Sequence, residues 1–257
     1  MISIKEAIQI VKNSVKPILA KTTKPIEKAG GYFLYEDIYS SINMPPFRQS
    51  AMDGYALNLH DDLSYHLIGE VKAGDAHQLI LKKGDAVRIF TGAPVPNTAN
   101  AVMMQEKVKT DGNKISIEHH INKEHNIRPL GEQVKTGDLA LKKGAKLTPA
   151  AIGYLSSLGI KDVSVFKKPS IAIVTTGNEL IDAGQDLTHG KIYESNSKML
   201  LAALYSLKFY DVSIHKVEDD YDKTVSKLNS VIYENDMVII TGGISVGDYD
   251  FVGKALN

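Results

Sequence analysis

Two six-residue runs leave this chain little freedom: Ser170-Ile171-Ala172-Ile173-Val174-Thr175 and Asp236-Met237-Val238-Ile239-Ile240-Thr241. Each is apolar at almost every consecutive position, so a strand made from it must be buried on both faces. Between them the pattern predicts a helix over 197–207, a strand over 210–217 and a helix over 221–233. Apolar strands alternating with helices predict a parallel sheet covered on both faces, an α/β unit beginning near residue 169. Lys167-Lys168-Pro169 reads as the linker into it.

The preceding chain has a different texture. Residues 3–14 place Ile4, Ala7, Ile8 and Val11 on one helical face, and Ser3 with Glu6 has capping-box spacing. From about 42 to 147 short apolar runs alternate with turn residues, at 65–71, 86–90, 101–104 and 115–118, and Asp111-Gly112-Asn113 signals a hairpin. This stretch predicts a small all-β unit. Thr148-Pro149 predicts a helix to about Leu158, ended by Gly159. Val71-Lys72-Ala73-Gly74-Asp75 is echoed by Val134-Lys135-Thr136-Gly137-Asp138, through either a duplication or a reused turn.

Composition removes several classes of chemistry. The 257 residues contain no cysteine, which excludes disulfides, thiolate catalysis and cysteine-ligated metals. Lys+Arg and Asp+Glu are both 30, so no bulk charge favours nucleic acid or an anionic membrane. No apolar run approaches the roughly 18 residues of a membrane span. The N-terminus lacks the apolar region of a secretory leader, so the expected location is cytoplasmic.

In open α/β sheets ligands bind beyond the carboxyl ends of the strands. Two loops leave those ends here: 175–180 (TTGNEL) and 241–250 (TGGISVGDYD). Two readings are open. Their glycines can serve only turns, with Glu179, Asp248 and Asp250 as solvated acids. Or the glycine backbone can approach a phosphate while the acids hold a hard cation such as Mg²⁺. Neither loop is a Walker A or dinucleotide fingerprint, and a nucleophile elbow is missing. The acidic run 218–222 likewise reads as a helix cap or as a site. His119, His120 and His125 make a poor metal set, because adjacent strand residues face opposite ways. The loop 44–57 (MPPFRQSAMDGYAL) fits neither helix nor strand. Alone, its Asp53-Gly54 supports only a tight turn, and Thr91-Gly92-Ala93-Pro94-Val95-Pro96 reads as a proline-braced loop.

Taken together, 44–57, 91–96, Ile127-Arg128-Pro129-Leu130-Gly131-Glu132, Thr176-Gly177-Asn178-Glu179-Leu180 and 241–250 resemble the MoeA family of molybdopterin molybdenumtransferases, related to the gephyrin E domain. The order and spacing of five motifs run from near residue 1 to the end. The resemblance implies a multidomain α/β protein. A discontinuous first domain (1–41 plus 138–168) carries an inserted β-rich domain (42–137). A partial three-layer molybdopterin-binding domain with a parallel sheet follows (169–257). It implies a homodimer whose cleft lies between the third domain of one subunit and the second of the other. The family's fourth, β domain and its later lysine- and proline-containing loops would follow Asn257, so a truncated sheet with an unpaired edge is expected.

The implied reaction is insertion of molybdate into adenylylated molybdopterin with release of AMP, dependent on Mg²⁺. The resemblance assigns catalytic roles to Asp53, Thr91, Glu179, Asp219 and Asp250, with Glu179 and Asp250 as the metal ligands. It assigns substrate binding to Arg128, Ser195, Asn196, Gly242, Gly243 and Ser245. Phosphates would be met by the 242–245 turn and the start of the helix near 197, and Asp53 and Thr91 would position substrate or handle protons. Expected partners are a molybdopterin-adenylylating protein and molybdoenzyme apoproteins, with no nucleic acid and no membrane. One departure is Gln133, where the family usually has an acid; an amide cannot act as a base. Two other readings are a molybdopterin adenylyltransferase-like activity and a non-catalytic, dimeric pterin-binding or scaffold fragment. The first is opposed by the 44–57 and 91–96 motifs, which that class lacks.

Overall fold

The computed structural model of the chain describes residues 2–77, 79–243 and 250–256. The chain divides into two units, one of Met1–Lys24, Lys28–Tyr35 and Ser164–Asn257, the other of Pro25–Glu27 and Glu36–Val163. The first element is helix α1 (Ile4–Ser14), closed at its start as its sequence predicts. The Ser3 hydroxyl accepts from the Glu6 amide at 3.2 Å, and the Glu6 carboxylate accepts from the Ser3 amide at 2.7 Å. None of its residues is buried within the chain.

The β-rich unit is built on six strands: β1 (Gly54–Leu57), β2 (Ser64–Val71), β3 (Asp85–Ile89), β4 (Ala101–Met104), β5 (Val108–Asp111) and β6 (Lys114–Ile117). Their order across the sheet is β4-β1-β3-β2-β6-β5. Only β2 and β3 are parallel; β1 runs antiparallel to both neighbours. Alternate side chains feed two cores. Ala56, Val87, Ile89 and Val102 enter one with Ala93 and Val95 of the proline-braced loop. Tyr55, Leu57, Ala86 and Met103 enter the other with Tyr65, Ile115 and Ile117. The sheet is therefore a layer with apolar packing on both faces, and the chain's loops are pinned to its rim.

The sequence echo resolves into one turn used three times. In Lys72–Asp75, Lys82–Asp85 and Lys135–Asp138 the aspartate carboxylate accepts from the lysine amide at 2.7, 2.8 and 3.0 Å. The glycine before each aspartate has φ of +92°, +82° and +87°, a region open to glycine and strained for other residues. The turn uses the lysine only through its backbone amide, and the aspartate and the glycine before it are what close it. Helix α2 (Pro149–Ser157) starts under the Thr148 hydroxyl, which accepts from Ala151, and ends before Gly159 at φ +78°.

In the α/β unit, β7 (Ile171–Thr176), β8 (Val212–Val217) and β9 (Met237–Thr241) form a parallel sheet in the order β8-β7-β9. The central strand is buried at all six positions. Helices α3 (Asn196–Ser206) and α4 (Tyr221–Glu234) make the two crossovers, and a short α5 (Val252–Ala255) follows β9. Leu228 and Val231 of α4 and Val252 of α5 pack on Ala172, Val174 and Val217. Burying each large apolar side chain contributes about 1.5–3 kcal/mol, so this layer is anchored on β7. Among the described residues β8 and β9 each pair only with β7.

Gly54 opens β1 directly after Asp53. It serves a close approach and not a tight turn: a Cβ there would lie 1.9 Å from the Met103 carbonyl oxygen. That atom is backbone in a paired strand and cannot step aside. Gly54→Ala is expected to lower unfolding stability by about 2 kcal/mol or more, read from urea denaturation. An unchanged midpoint would mean that β1 and β4 can separate freely.

Candidate functional site

The irregular stretch 44–53 is ordered by backbone bonds to the other two motifs of its unit. Ser50 donates to Ala93 at 3.0 Å, Gly92 to Ser50 at 2.9 Å and Val95 to Arg48 at 2.8 Å. Ala51 donates to Asn126, Gly131 to Pro45 and Gln133 to Met44, each at 2.9 Å. Arg48 braces the loop further, donating to the Ala99 carbonyl at 3.0 Å and pairing with Glu124 at 3.0 Å. Segments 44–53, 91–96 and 126–134 are thus one woven surface.

On that surface Asp53 and Thr91 meet. One carboxylate oxygen of Asp53 accepts from both the amide and the hydroxyl of Thr91, each at 2.7 Å. The Asp53 carbonyl accepts from the Gln105 amide at 3.0 Å. The Thr91 amide and hydroxyl, helped by the Arg88 charge and opposed by slight burial, hold the Asp53 carboxyl below its usual range. A carboxylate so depressed is a weak proton acceptor near neutrality. Of the two expected roles, the geometry favours positioning over proton handling. With its proton committed to Asp53, the Thr91 hydroxyl can meet a further group only as an acceptor.

Arg88 was not singled out by the sequence. Its guanidinium lies 5.0 Å from the ring centroids of both Tyr55 and Phe90. It donates to the Gly54 carbonyl at 3.0 Å and to the Gln105 side chain at 2.5 Å. It therefore holds the Gly54–Tyr55 peptide, one residue beyond Asp53. The available signal was an arginine inside the apolar strand Ala86–Phe90. Arg128 sits on the short strand Ile127–Arg128, in register with Gln49, whose side chain donates to the Gly92 carbonyl. The Gln133 side chain is exposed, and only its amide is tied into the weave.

In the α/β unit the parallel register puts Thr176, Val217 and Thr241 at one edge. The loops beyond them interlock. Asn178 donates its amide to the Asp219 carboxylate at 3.0 Å, and Asp219 returns its amide to the Asn178 side chain at 3.2 Å. Asn196 donates to the Thr241 hydroxyl at 2.9 Å. Glu179 folds back over Gly177, where a Cβ would lie 2.6 Å from a carboxylate oxygen. Gly242 and Gly243, at φ +90° and +60°, close over Thr176; a Cβ on either would lie within 2.8 Å of its hydroxyl. That hydroxyl is buried without a hydrogen-bond partner among the described residues. An unmet buried polar atom costs about 1–3 kcal/mol, which a bound polar group would offset.

The acidic run 218–222 divides its roles. Asp220 caps α4, accepting from the Lys223 amide at 2.9 Å, and Glu218 pairs with Lys223 at 2.6 Å, while Asp219 faces the loop edge. The start of α3 departs from expectation. Glu194 occupies it: its carboxylate accepts from the Ser197 amide at 2.7 Å and hydroxyl at 2.6 Å. Burial raises the Glu194 carboxyl, but the Ser197 and Asn196 bonds and Lys198 outweigh it and leave it lowered. The helix N-terminus is filled by the chain's own anion, so it does not offer those donors to a phosphate. Ser195 precedes the helix and makes no capping side-chain bond. Ser245 and Asp248 lie outside the described residues, and Asp250 is half-buried just before α5.

Among the described residues no group of three His, Cys, Asp or Glu side chains is placed to hold a metal ion. Mg²⁺ is commonly held by one or two carboxylates together with substrate phosphate and water. Glu179, folded over Gly177, supplies one carboxylate at this edge, and phosphate oxygens and water would have to complete any such shell.

Residues 2–159 match the MoeA N-terminal region (domain I and II), and residues 172–257 match a probable molybdopterin binding domain. The molybdopterin molybdenumtransferase of Staphylococcus aureus strain COL is 36% identical over 260 residues, covering 98% of this chain and 62% of that protein. The protein of the same description from Staphylococcus epidermidis ATCC 12228 is 33% identical over 263 residues, with the same coverage. The crystal structure of the molybdopterin biosynthesis moeA protein from Pyrococcus horikoshii OT3 is similar with a TM-score of 0.83 at 34% identity. That likeness covers 93% of this chain and 65% of that one. The chain therefore spans 62% of the length of these curated relatives.

Thr91→Val removes one of the two donors to Asp53 and keeps the amide. The Asp53 carboxyl is expected to rise towards its ordinary value of about 3.9, measured by NMR titration of its side-chain carbon. The sign follows from linkage. A depressed carboxylate stabilises the fold above its unfolded pKa, and that stability is lost as pH falls through the folded value. The variant should lose part of that acid dependence. An Asp53 titration identical in both proteins would show that the hydroxyl contact does not persist in solution.

Proposed function

The chain belongs to the MoeA family, and from that premise we propose that it acts in molybdenum cofactor biosynthesis, inserting molybdate into adenylylated molybdopterin with release of AMP. The observation that carries the reading is the single loop edge formed by Thr176–Glu179, Asp219, Asn196–Thr241 and Gly242-Gly243. It combines glycine backbone packed closely on Thr176 with carboxylates and a hydroxyl that is unpartnered among the described residues, a donor and acceptor set suited to a polar, phosphate-bearing pterin. Mg²⁺, when bound, would supply charge neutralisation at the phosphoanhydride. The substrate brings its own thiolates, so a chain without cysteine is chemically consistent.

The chain's residues divide the work. Asp219 and Asn178 lock the first loop against the third strand's crossover, and Glu179 and Asp250 present carboxylates to a cation. The Gly242-Gly243 backbone, packed closely on Thr176, would offer its amides to an anionic group. Asp53, fixed as an anion by Thr91, orients a bound group through hydrogen bonds. We further propose assembly as a homodimer in the cytoplasm. The apolar stripe of α1 supports it, with Ile4 82%, Ile8 50% and Val11 60% exposed.

The test is molybdate insertion into adenylylated molybdopterin by the protein of the full reading frame. Asp53→Asn and Glu179→Gln are each expected to lower the rate by about 10²–10³-fold, the scale of losing one preorganised electrostatic group. Wild-type rates in both variants would sink the assignment. Ile8→Glu is expected to shift the protein towards monomer in light scattering after gel filtration, whatever its activity.

A further inference from the structure

The segment Lys167-Lys168-Pro169 links β-rich and α/β sequence, yet its lysines are not idle spacers. Lys21, Lys24, Lys167, Lys168 and Lys208 line one cavity of about 390 Å³, with Asp211 its sole acid. The chain as a whole carries equal numbers of acids and bases, whereas here five lysines stand against Asp211 in the lining and Asp236 beside Lys167, a local excess of positive charge. Gathering like charges costs free energy, and partial burial weakens the solvent screening that would relieve it.

Two features show that the imbalance is built into the fold. The first is aromatic. The ammonium groups of Lys24 and Lys168, both half-buried, lie 5.6 and 4.5 Å from the centroid of the same Tyr32 ring. Lys168 is also 5.5 Å from the Phe209 centroid and donates to the Lys208 carbonyl at 2.6 Å. Ring quadrupoles stabilise cations in place without neutralising them. The second is a strained backbone position. Lys208 follows the end of α3 with φ +64°, at a site where helices commonly place glycine because other residues are strained there. Its stem runs past Gly31, itself at φ +84°, with Lys208 Cδ 3.4 Å from where a Cβ would be. Lys208 thus carries a long side chain at a position that favours glycine, and that side chain lines the hollow.

We propose that this hollow binds a compact polyphosphate, two or more linked phosphate groups, either free or as the tail of a nucleotide. Lysines act there as convergent point charges with rotatable donors, suited to tetrahedral oxyanions. The site is separate from the loop edge described above and does not depend on the activity proposed for it.

The experiment is calorimetric titration of the full-length protein with pyrophosphate and with ATP, without added metal, at constant ionic strength, with sulfate as the reference anion. Saturable pyrophosphate binding at least tenfold tighter than sulfate is expected, with a loss of tenfold or more in the Lys24→Ala, Lys168→Ala double variant. Lys142→Ala, elsewhere in the chain, should bind as wild type. Lys208→Gly is the decisive variant, because glycine relieves the backbone at φ +64°. Its thermal midpoint should not fall, while its pyrophosphate affinity should, so a folding defect cannot mimic the result. Tighter binding of ATP would identify a nucleotide as the source, and equal binding the phosphates alone. Sulfate binding as tightly as pyrophosphate, or wild-type affinity in Lys208→Gly, would overturn the proposal.

Discussion

The parallel pairing of Ile171–Thr176 with both its neighbours fixes the chemistry of the α/β unit. In register, Thr175 stands opposite Lys216 on one side and Thr241 on the other, so three chain exits are brought to one edge. Parallel strands need long crossovers, and here α3 and α4 supply them. The exits are thus left free to form loops on a common side. Because β7 is buried at every position, a slip of one residue would move Thr176 and Gly177 away from Gly242 and break the reciprocal Asn178–Asp219 contact. Core packing thereby sets the precision of the polar edge.

In the β-rich unit precision has a different origin. The loop 44–53 has no secondary structure to hold most of its length, yet its amides and carbonyls are paired with 91–95 and 126–134. Ala93 and Val95 sink into the core while Thr91, two residues earlier, stays at the surface. Asp53 is then held from two sides. Thr91 binds its carboxylate, and Arg88, flanked by two aromatic rings, binds the next carbonyl. An exposed aspartate becomes a fixed anion without burial, through donors that the strand ends present.

Much of this was legible in the chain. The capping box at Ser3, the Thr148-Pro149 helix start, the Asp111-Gly112-Asn113 hairpin and the two apolar strands all fall within a residue or two of expectation. Those signals are local: caps, turns and periodicity act over a few residues. The placement of Glu179, Asp219 and Gly242 at one edge also follows, because apolar strands imply parallel pairing. What escaped was set by distant partners. In sequence Arg88 is one arginine inside an apolar run, and only the fold sets Tyr55, Phe90 and Gln105 around it. Glu194 had no visible role until the fold set its carboxylate on the Ser197 amide and hydroxyl at the start of α3. The Val71 and Val134 echoes were ambiguous in sequence, and only the three matching aspartate bonds showed a reused turn.

The sequence by itself determined the type and order of the elements and which chemistry was absent, cysteine chemistry above all. It determined, through five co-linear motifs, the family to which the chain belongs. The tertiary structure alone decided which polar groups face one another. It turned Gly54 from a turn residue into a point of backbone contact and fixed the ionisation of Asp53. It also gathered five lysines from three separate segments around Tyr32. The physical reason is range: propensity and periodicity are written along the chain, whereas a hydrogen bond or a charge cluster between residues 38 or 187 apart exists only after the core has closed.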